Sequence, residues 1–276
     1  LALTTWSASY ADANASIGKP VAVSNLSLGG ADAGNYQLAS TTTSLLGNIT
    51  RRAITSVAGL SAQDRTYDGT TAASLVTSAP AFAGLLPGDD LSIAAYQADF
   101  DSRHVGLRAV TVGGMTLGGA SAANYELTQG ATFGSLSANI TPATITGVSG
   151  LAVSDKVYDG GTQADVSASF ASLVGRFGAD QVSLASGLTA AFADKNVGTA
   201  KNVVIGNVAL VGADAADYVL QPGLTVTATA SITPRPIVVS GVTAASKTYD
   251  GTAAATVSTL GVDFVQLGPW PVTTSV

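Results

Sequence analysis

The sequence has no cysteine, a single glutamate and few charged residues of either sign. Only 11% of its 276 residues are charged, against about 25% in ordinary soluble domains. Without cysteine the chain has no disulfide, no thiolate metal ligand and no thiol nucleophile. So few charges also argue against a cleft of converging ionisable groups. We therefore expect that the protein is not an enzyme and that it needs no cofactor.

Basic residues are scarce and scattered. Twelve Lys and Arg against eighteen Asp and Glu give a formal net charge of −6, and no basic run is long enough to follow a phosphate backbone. No stretch approaches the roughly 18 continuous apolar residues of a membrane-spanning helix. We expect no nucleic-acid partner and no insertion into a membrane.

The abundant residues are those of strands and turns. Asp supplies 17 of the 18 acidic residues, and the chain has 31 glycines. Glu and Lys are typical of exposed helix faces, whereas Asp and Gly suit tight turns and Thr and Val suit pleated strands. The composition predicts an all-β fold of short strands.

One short pattern occurs three times at a constant interval. A basic residue, a spacer and Tyr-Asp-Gly are separated by 91 residues from Tyr67 to Tyr158 and by 91 again from Tyr158 to Tyr249. An Ala-rich step ending in tyrosine also recurs. We interpret these residues as a structural signature of the repeat: Arg65, Tyr67, Asp68, Gly69, Lys156, Tyr158, Asp159, Gly160, Lys247, Tyr249, Asp250, Gly251, Tyr36, Tyr125 and Tyr218.

The recurrence divides the chain into four segments. Residues 51–141 and 142–233 are complete repeats, residues 1–50 are the C-terminal part of a repeat, and residues 234–276 are the N-terminal part of another, truncated or divergent after about residue 264. We expect the chain to be a window of a longer array.

Other landmarks recur in the same order. Ala-Asp precedes an apolar residue and glycine at Ala11-Asp12, Ala98-Asp99 and Ala193-Asp194. An apolar pair at period two follows, and its side chains should point inward. The three pairs are Leu26 and Leu28, Met115 and Leu117, and Val208 and Leu210.

Each repeat is predicted to form five to seven short strands. Alternation and turn residues place strands near residues 144–148, 188–192 and 225–232. A β-sandwich-like module fits this pattern, and so does a β-grasp-like module in which residues 213–217 form one helical turn. Proline after Thr141 and Thr233 stiffens the junctions, so we expect an elongated, semi-rigid rod.

Three chemical interpretations compete with a structural one. The signature tyrosines could stack on sugars, but a tyrosine that caps the core before an Asp-Gly turn explains the same pattern. Oxygen ligands for calcium could come from four aspartates, yet no Asp-x-Asp-x-Asp-Gly loop accompanies them, and we favour turn residues. His104 stands alone, so it serves no recurring catalytic triad. The four aspartates are Asp89, Asp90, Asp99 and Asp101.

The ordered set of motifs resembles the YDG repeat of large filamentous, haemagglutinin-like bacterial adhesins. The resemblance implies a protein exported by two-partner secretion to the surface of a Gram-negative cell, with these repeats as a stalk that supports adhesion. Its partners are then the neighbouring repeats, while host or surface glycans or proteins bind other regions. The alternative is that each repeat is a weak glycan-binding module acting by avidity. Arg51-Arg52, where the other repeats have proline, and the doubled Gly160-Gly161 depart from the pattern.

Overall fold

The computed structural model describes residues 1–266 and is built almost entirely of β-strands. Across this range the helical elements are three single turns of 3-10 helix, and α-helix is absent. The prediction of an all-β fold is confirmed. The chain divides into two compact units, residues 1–142 and the residues from 143 onward. Each unit is described by itself.

The first unit contains twelve strands and two 3-10 turns. The strands are β1 (Ala2–Tyr10), β2 (Ser16–Gly29), β3 (Thr43–Ile49), β4 (Arg52–Ala58), β5 (Ser61–Ala62), β6 (Arg65–Thr66), β7 (Leu75–Val76), β8 (Ala81–Phe82), β9 (Ser92–Phe100), β10 (Gly106–Gly118), β11 (Tyr125–Thr132) and β12 (Leu136–Thr141). The turns are Ala33–Asn35 and Ala122–Asn124.

Four sheets organise these strands. They have the orders β1-β2-β3, β6-β12-β10-β9, β11-β4-β8 and β5-β7. Most pairs are antiparallel, but β4 runs parallel to β11 and β6 runs parallel to β12. Both parallel pairs join strands that precede residue 85 to strands that follow residue 124, so distant parts of one repeat are fastened together.

The second unit contains β13 to β29. These strands are β13 (Ala143–Ile145), β14 (Gly147–Ser149), β15 (Ala152–Val153), β16 (Lys156–Val157), β17 (Gln163–Ala164), β18 (Val166–Ser167), β19 (Ser172–Val174), β20 (Ser183–Leu184), β21 (Thr189–Phe192), β22 (Gly198–Gly206), β23 (Leu210–Val211), β24 (Tyr218–Leu220), β25 (Val226–Thr233), β26 (Ile237–Ser240), β27 (Thr243–Ala244), β28 (Val257–Ser258) and β29 (Asp263–Gln266). A 3-10 turn spans Ala215–Asp217.

Its largest sheet has the order β16-β25-β22-β21-β17, with β16 parallel to β25. Two-stranded sheets add β13-β24, which is parallel, and the antiparallel pairs β14-β19, β15-β18, β20-β23, β26-β29 and β27-β28. Strands are present near residues 188–192 and 225–232, but the single strand expected near residues 144–148 is two short strands, β13 and β14, that separate at Thr146 and pair with different partners.

Each unit has an apolar core that combines early and late strands of one repeat. In the second unit, Val203, Val226 and Ile232 are buried, and the earlier residues Val148 and Tyr158 pack against them. In the first unit the core is formed by Ile54, Val57, Phe82 and Tyr125, with Met115 and Leu117 partly buried beside it. Burying a large side chain contributes about 1.5–3 kcal/mol, so these clusters stabilise the parallel pairs.

A residue with positive φ interrupts the long strand at the same place three times. Asn25 (φ 57°), Gly114 (φ 55°) and Asn207 (φ 55°) each directly precede the inward-facing apolar pair. Asparagine and glycine tolerate this left-handed conformation best, and it marks a bulge that re-aims the strand. The sequence analysis did not predict this bulge, because a single Asn or Gly is not by itself distinctive.

The sequence pattern predicts that Ala98-Asp99 and Ala193-Asp194 occupy the same position of the repeat, and this prediction is wrong. Phe100 pairs with Val110 as Phe192 pairs with Val203, so the two phenylalanines occupy the same position. Asp194, two residues after Phe192, therefore corresponds to Ser102. The Ala-Asp pair precedes the phenylalanine in one repeat and follows it in the other.

Two further expectations stay predictions. The helical turns of the Ala-rich steps are present as 3-10 turns, which leaves both the sandwich-like and the β-grasp-like module open. The tandem repeat boundaries and the rod also stay predictions. The expected divergence after about residue 264 falls mainly on residues 267–276, which lie outside the described residues.

Candidate functional site

Two of the three Tyr-Asp-Gly turns directly follow short strands, β6 and β16, which lie at the edges of the largest sheets of their units. In the first unit the backbone N–H of Tyr67 donates to the carbonyl of Thr141 at 2.8 Å. In the second unit Tyr158 donates to Thr233 at 2.9 Å. Each turn is thereby tied to the last strand of its repeat, about 75 residues further along the chain.

In the first turn, one aspartate organises the backbone and the basic side chain together. Asp68 accepts hydrogen bonds at Oδ1 from the Thr70 backbone N–H at 2.9 Å and from its hydroxyl at 2.8 Å. Its other oxygen pairs with the Arg65 guanidinium, which also donates to the Thr70 carbonyl. Gly69 between them has φ 80°, which only glycine adopts without strain. We call this arrangement the basic–Asp clasp.

The second turn repeats the clasp with lysine. Lys156 Nζ pairs with the Asp159 carboxylate at 2.8 Å and donates to the carbonyls of Gly161 at 3.0 Å and Gln163 at 2.8 Å. Gly161 N–H donates to Asp159 Oδ1 at 2.9 Å, and Gly160 has φ 84°. An ammonium group has three N–H donors, and all three are directed at this turn.

The third turn has the same geometry. Lys247 pairs with Asp250 at 2.9 Å and donates to Thr252 at 3.0 Å, while Gly251 has φ 75°. The clasp therefore forms in all three copies, with either Arg or Lys.

Hydrogen bonds to a carboxylate favour its charged form. The Lys156 ammonium lowers the pKa of Asp159, and the Lys247 ammonium does the same for Asp250. At Asp68, burial raises the pKa, but hydrogen bonds from Thr70 and the charge of Arg65 together outweigh it and leave the pKa lowered. The clasp is thus charged at neutral pH.

The basic group of the clasp lies over a phenylalanine rather than over the tyrosine. The Arg65 guanidinium carbon is 5.2 Å from the centre of the Phe100 ring, and Lys156 Nζ is 5.8 Å from that of Phe192. Such cation–π contacts contribute about 0.5–1 kcal/mol at exposed sites.

The signature tyrosines differ widely in exposure. Tyr67 is 1% exposed, Tyr158 is half-buried and Tyr249 is 94% exposed. A tyrosine that stacks on a sugar needs an open ring face. The repeat position therefore does not present a sugar platform in every copy.

The second set of tyrosines lies away from the clasp and anchors a loop. Tyr218 donates to Asp180 at 2.6 Å and accepts from the Phe177 N–H at 2.9 Å. Tyr125 donates to Asp89 and accepts from the Leu86 N–H at 3.1 Å. The equivalent Tyr36 is exposed.

Burial and a neighbouring carboxylate both disfavour the tyrosinate. Burial, followed by the hydrogen bond to Asp180, raises the pKa of Tyr218 to about 12. Burial and the bond to Asp89 likewise raise the pKa of Tyr125. Both phenols are protonated donors at neutral pH, which is the state that a structural anchor requires.

Sequence reasoning missed a second aspartate beside the clasp. Asp64 accepts from the Asn139 N–H, and Asp155 from the Ser231 N–H, both at 2.6 Å. The 91-residue spacing of Asp64 and Asp155 was the available signal. These carboxylates bind the last strand of their repeats.

A further Lys–Asp pair was also missed. Lys19 pairs with Asp12, and Lys201 pairs with Asp194, while the same aspartates accept N–H groups two residues onward, each at 2.8 Å. Hydrogen bonds from these lysines lower the pKa of Asp12 and Asp194.

Of the four aspartates considered for calcium, Asp89, Asp90 and Asp99 each accept a hydrogen bond from a different protein donor. Asp89 binds Tyr125, Asp90 accepts from the Ala120 N–H at 3.0 Å, and Asp99 accepts from Gln97 at 3.0 Å. The backbone N–H of Asp101 donates to Ala109 at 2.9 Å. At His104, the carbonyl accepts from Arg108 at 2.8 Å.

An open groove of about 440 Å³ lies beside the second clasp. Polar side chains dominate its lining, including Asp155, Lys156, Asp159 and Gln163. Its volume is within the range of small-molecule pockets, roughly 300–1,000 Å³, but Lys156 and Asp159 already bind each other there.

Comparison with known proteins gives one positive result. The family model described as the YDG domain matches residues 1–44, 50–132 and 141–228. No curated protein matches the chain, and no solved structure matches it. A helix that could span a membrane is not found in residues 1–266, the part that the structure describes. The family match covers well over half of the sequence, and the chain belongs to the YDG domain family.

Proposed function

We propose that these repeats are structural spacer modules of a secreted bacterial surface adhesin of the filamentous, haemagglutinin-like type. In this proposal the chain is a stalk on a Gram-negative cell, exported by two-partner secretion, and it is not an enzyme. Its partners are neighbouring repeats, and receptor binding belongs to other regions of the protein.

The observation that carries the proposal is that the recurring basic side chains of the clasp form their hydrogen bonds within their own turn. The three N–H donors of Lys156 are directed at residues 159–163 of its own turn. Arg65 and Lys247 are used in the same way. A binding residue needs a donor or an open face for its ligand, whereas a spacer residue needs only to stabilise its own fold.

The alternative, weak glycan binding by avidity, has the groove beside Lys156 as its best site. A glycan array probed with the 276-residue chain tests both functions. We expect no glycan signal above that of an unrelated β-protein. Signal that disappears with Tyr158→Ala or Asp159→Ala, while Phe170→Ala retains it, would contradict the spacer function. Circular dichroism of each variant shows that lost signal is not lost folding.

A cellular experiment tests the stalk directly. In the source bacterium, we expect antibodies against this chain to label intact cells. Deleting the segment should reduce adhesion, and replacing it with unrelated β-repeats of equal length should restore it. Failure of the replacement to restore adhesion, with surface display unchanged, would show that these repeats bind the receptor themselves.

A further inference from the structure

Every Asp-Gly bond in the chain lies in a basic–Asp clasp. Of the 17 aspartates, three precede a glycine, and these are Asp68, Asp159 and Asp250. An Asp-Gly bond is prone to isomerise to isoaspartate, because a glycine has no side chain to hinder attack by its backbone nitrogen on the aspartate. The most labile bonds of the sequence therefore coincide with its most regular turn.

Isomerisation is an intramolecular reaction that needs only water. The backbone nitrogen of the glycine attacks Cγ of the protonated aspartate, so that the N–Cγ bond forms and the Cγ–OH bond breaks. The hydroxyl leaves with the amide proton as water, which gives a cyclic succinimide. Water then adds to the ring carbonyl that was the main-chain carbonyl of the aspartate and breaks its bond to nitrogen. The chain afterwards runs through the side chain, as isoaspartate.

The turn cannot avoid this reaction by replacing its glycine. Gly69 has φ 80° and Gly160 has φ 84°. A side chain at such a φ is strained, so the conformation of the turn requires a glycine at this place. A labile bond is thus built into each copy, and any protection must come from a neighbouring residue.

In the clasp, the Asp159 carboxylate is directed past the nitrogen that it would have to join. Its Oδ1 accepts from the N–H of Gly161, one residue beyond Gly160, at 2.9 Å. Lys156 Nζ lies 2.8 Å from Oδ1 and 3.0 Å from Oδ2, so both oxygens are held. Cyclisation requires these bonds to break, because Cγ must turn onto the nitrogen of Gly160.

The clasp also keeps the carboxyl group in its unreactive form. Attack requires the protonated acid, since a carboxylate is a poor electrophile. The Lys156 ammonium and then the Gly161 N–H lower the pKa of Asp159, so less of the acid is present at neutral pH. The Lys156 side chain is 16% exposed, and its Nζ lies 5.8 Å from the centre of the Phe192 ring, which keeps the ammonium in place.

The first unit has the same arrangement with arginine. Asp68 Oδ1 accepts from the Thr70 N–H at 2.9 Å, again one residue beyond the glycine, and its other oxygen pairs with Arg65. The Arg65 side chain is 17% exposed. Arginine and lysine share a positive charge and several N–H donors, which are the two properties that hold the carboxylate.

We propose that the clasp protects the Asp-Gly bonds from isomerisation to isoaspartate, with Arg65 and Lys156 as the positioning residues that hold each carboxylate away from the glycine nitrogen. The substrate of this slow reaction is the chain itself, and its only co-reactant is water. Removal of the basic side chain leaves the carboxyl group able to protonate and to turn onto that nitrogen. The inference does not rest on the spacer function.

Long incubation followed by peptide mapping tests the proposal. The folded 276-residue chain is kept at neutral pH, and electron-transfer fragmentation then measures isoaspartate at positions 68 and 159. Lys156→Met keeps a long unbranched side chain without its charge. It should raise isoaspartate at position 159 roughly threefold or more, because the acid fraction at neutral pH changes about tenfold for each pH unit by which the pKa moves. Position 68 in the same molecule keeps its clasp and should not change, and Lys156→Arg should behave like the unmodified chain.

A second lysine separates protection from general stability. Lys201 pairs with Asp194, which also accepts the N–H two residues onward, but the residue after Asp194 is Lys195 rather than a glycine. Lys201→Met therefore removes a similar ion pair from the same unit. We expect it to leave isoaspartate at position 159 unchanged and to produce little at position 194. Urea unfolding of each variant shows that folded chains are compared.

The unmodified chain tests the proposal even where Lys156→Met does not fold. Isoaspartate at positions 68 and 159 should form several times more slowly in the folded chain than in the same chain unfolded in urea. Equal rates in the two states would overturn the proposal. So would Lys156→Met forming isoaspartate no faster than the unmodified chain, or Lys201→Met raising it at position 159 as much as Lys156→Met does. None of these results depends on glycan binding or adhesion, so the failure of one proposal does not decide the other.

Discussion

The hydroxyl of Tyr218 donates a 2.6 Å hydrogen bond to the carboxylate of Asp180, and both residues are buried. The same oxygen accepts from the backbone of Phe177. One tyrosine thus holds a loop that lies about 40 residues earlier in the chain. Tyr125 and Asp89 repeat the relationship in the first unit.

Tyr218→Phe should destabilise the second unit by about 1–3 kcal/mol. The ring still fills its place, but a buried carboxylate loses a donor and the Phe177 N–H loses its acceptor. Urea unfolding followed by circular dichroism measures the change. Tyr36→Phe at the exposed equivalent should stay within about 0.5 kcal/mol, and an equal effect of both substitutions would contradict the anchoring role.

Alkaline pH should weaken the same anchors. The folded-state pKa of Tyr218, about 12, lies above the ordinary tyrosine value of 10.0, so its contribution is complete below pH 10 and is lost as the pH rises from 10 through 12. The urea midpoint of the unmodified chain, measured from pH 8 to 12, should approach that of Tyr218→Phe at the upper end. A constant difference between the two chains would contradict the raised pKa.

Two substitutions of Asp159 separate its ion pair with Lys156 from its hydrogen bond with the Gly161 N–H. Asp159→Asn keeps an oxygen for the Gly161 N–H but loses the charge pair, and should cost less than about 1 kcal/mol. Asp159→Ala loses both and should cost about 1–2 kcal/mol. Asp165→Ala, an exposed aspartate three residues beyond Thr162, is the control. If Asp159→Ala matches the control, the clasp does not stabilise the fold.

Acid should weaken the clasps together. The folded pKa values of Asp68, Asp159 and Asp250 lie below the ordinary aspartate value of 3.8, so their contribution is present above about pH 4 and is lost as the pH falls below it. Thermal melting from pH 7 to 2 should be level down to about pH 4 and then decline. The decline should be shallower for Asp159→Asn, and an unchanged slope would contradict the assignment.

Gly150→Ala should be strongly destabilising, because the same close approach of a glycine to a backbone carbonyl recurs at the equivalent positions of the other repeats. Gly150 has φ 73°, and an added Cβ would overlap the carbonyl oxygen of Phe170. Gly59 and Gly241 approach the equivalent carbonyls in the same way. We expect a loss of roughly 1–3 kcal/mol in urea unfolding. Gly161→Ala should change stability by less than about 0.5 kcal/mol, because no comparable contact stands in its way.

Composition and spacing are enough to predict the fold class, the recurring pattern and the positions of its turns. Asp and Gly at fixed places favour a turn whatever surrounds them, and the clasp joins residues only three to seven positions apart. Interactions between residues that are close in sequence can therefore be predicted from the sequence. The inward-facing apolar pairs, such as Met115 and Leu117, follow from period two for the same reason.

Which distant residues come into contact depends on how the strands are arranged in the folded protein. The parallel pairing of Lys156 with Ile232, the choice of Phe192 under the lysine, and the Tyr218–Asp180 bond all join residues that are 36 or more positions apart. Period and turn chemistry constrain neighbours along the chain, whereas these contacts depend on how strands are ordered in a sheet. The same dependence explains why equivalent tyrosines are buried at position 67 and exposed at 249: burial is a property of what packs against a residue, which its own sequence does not contain.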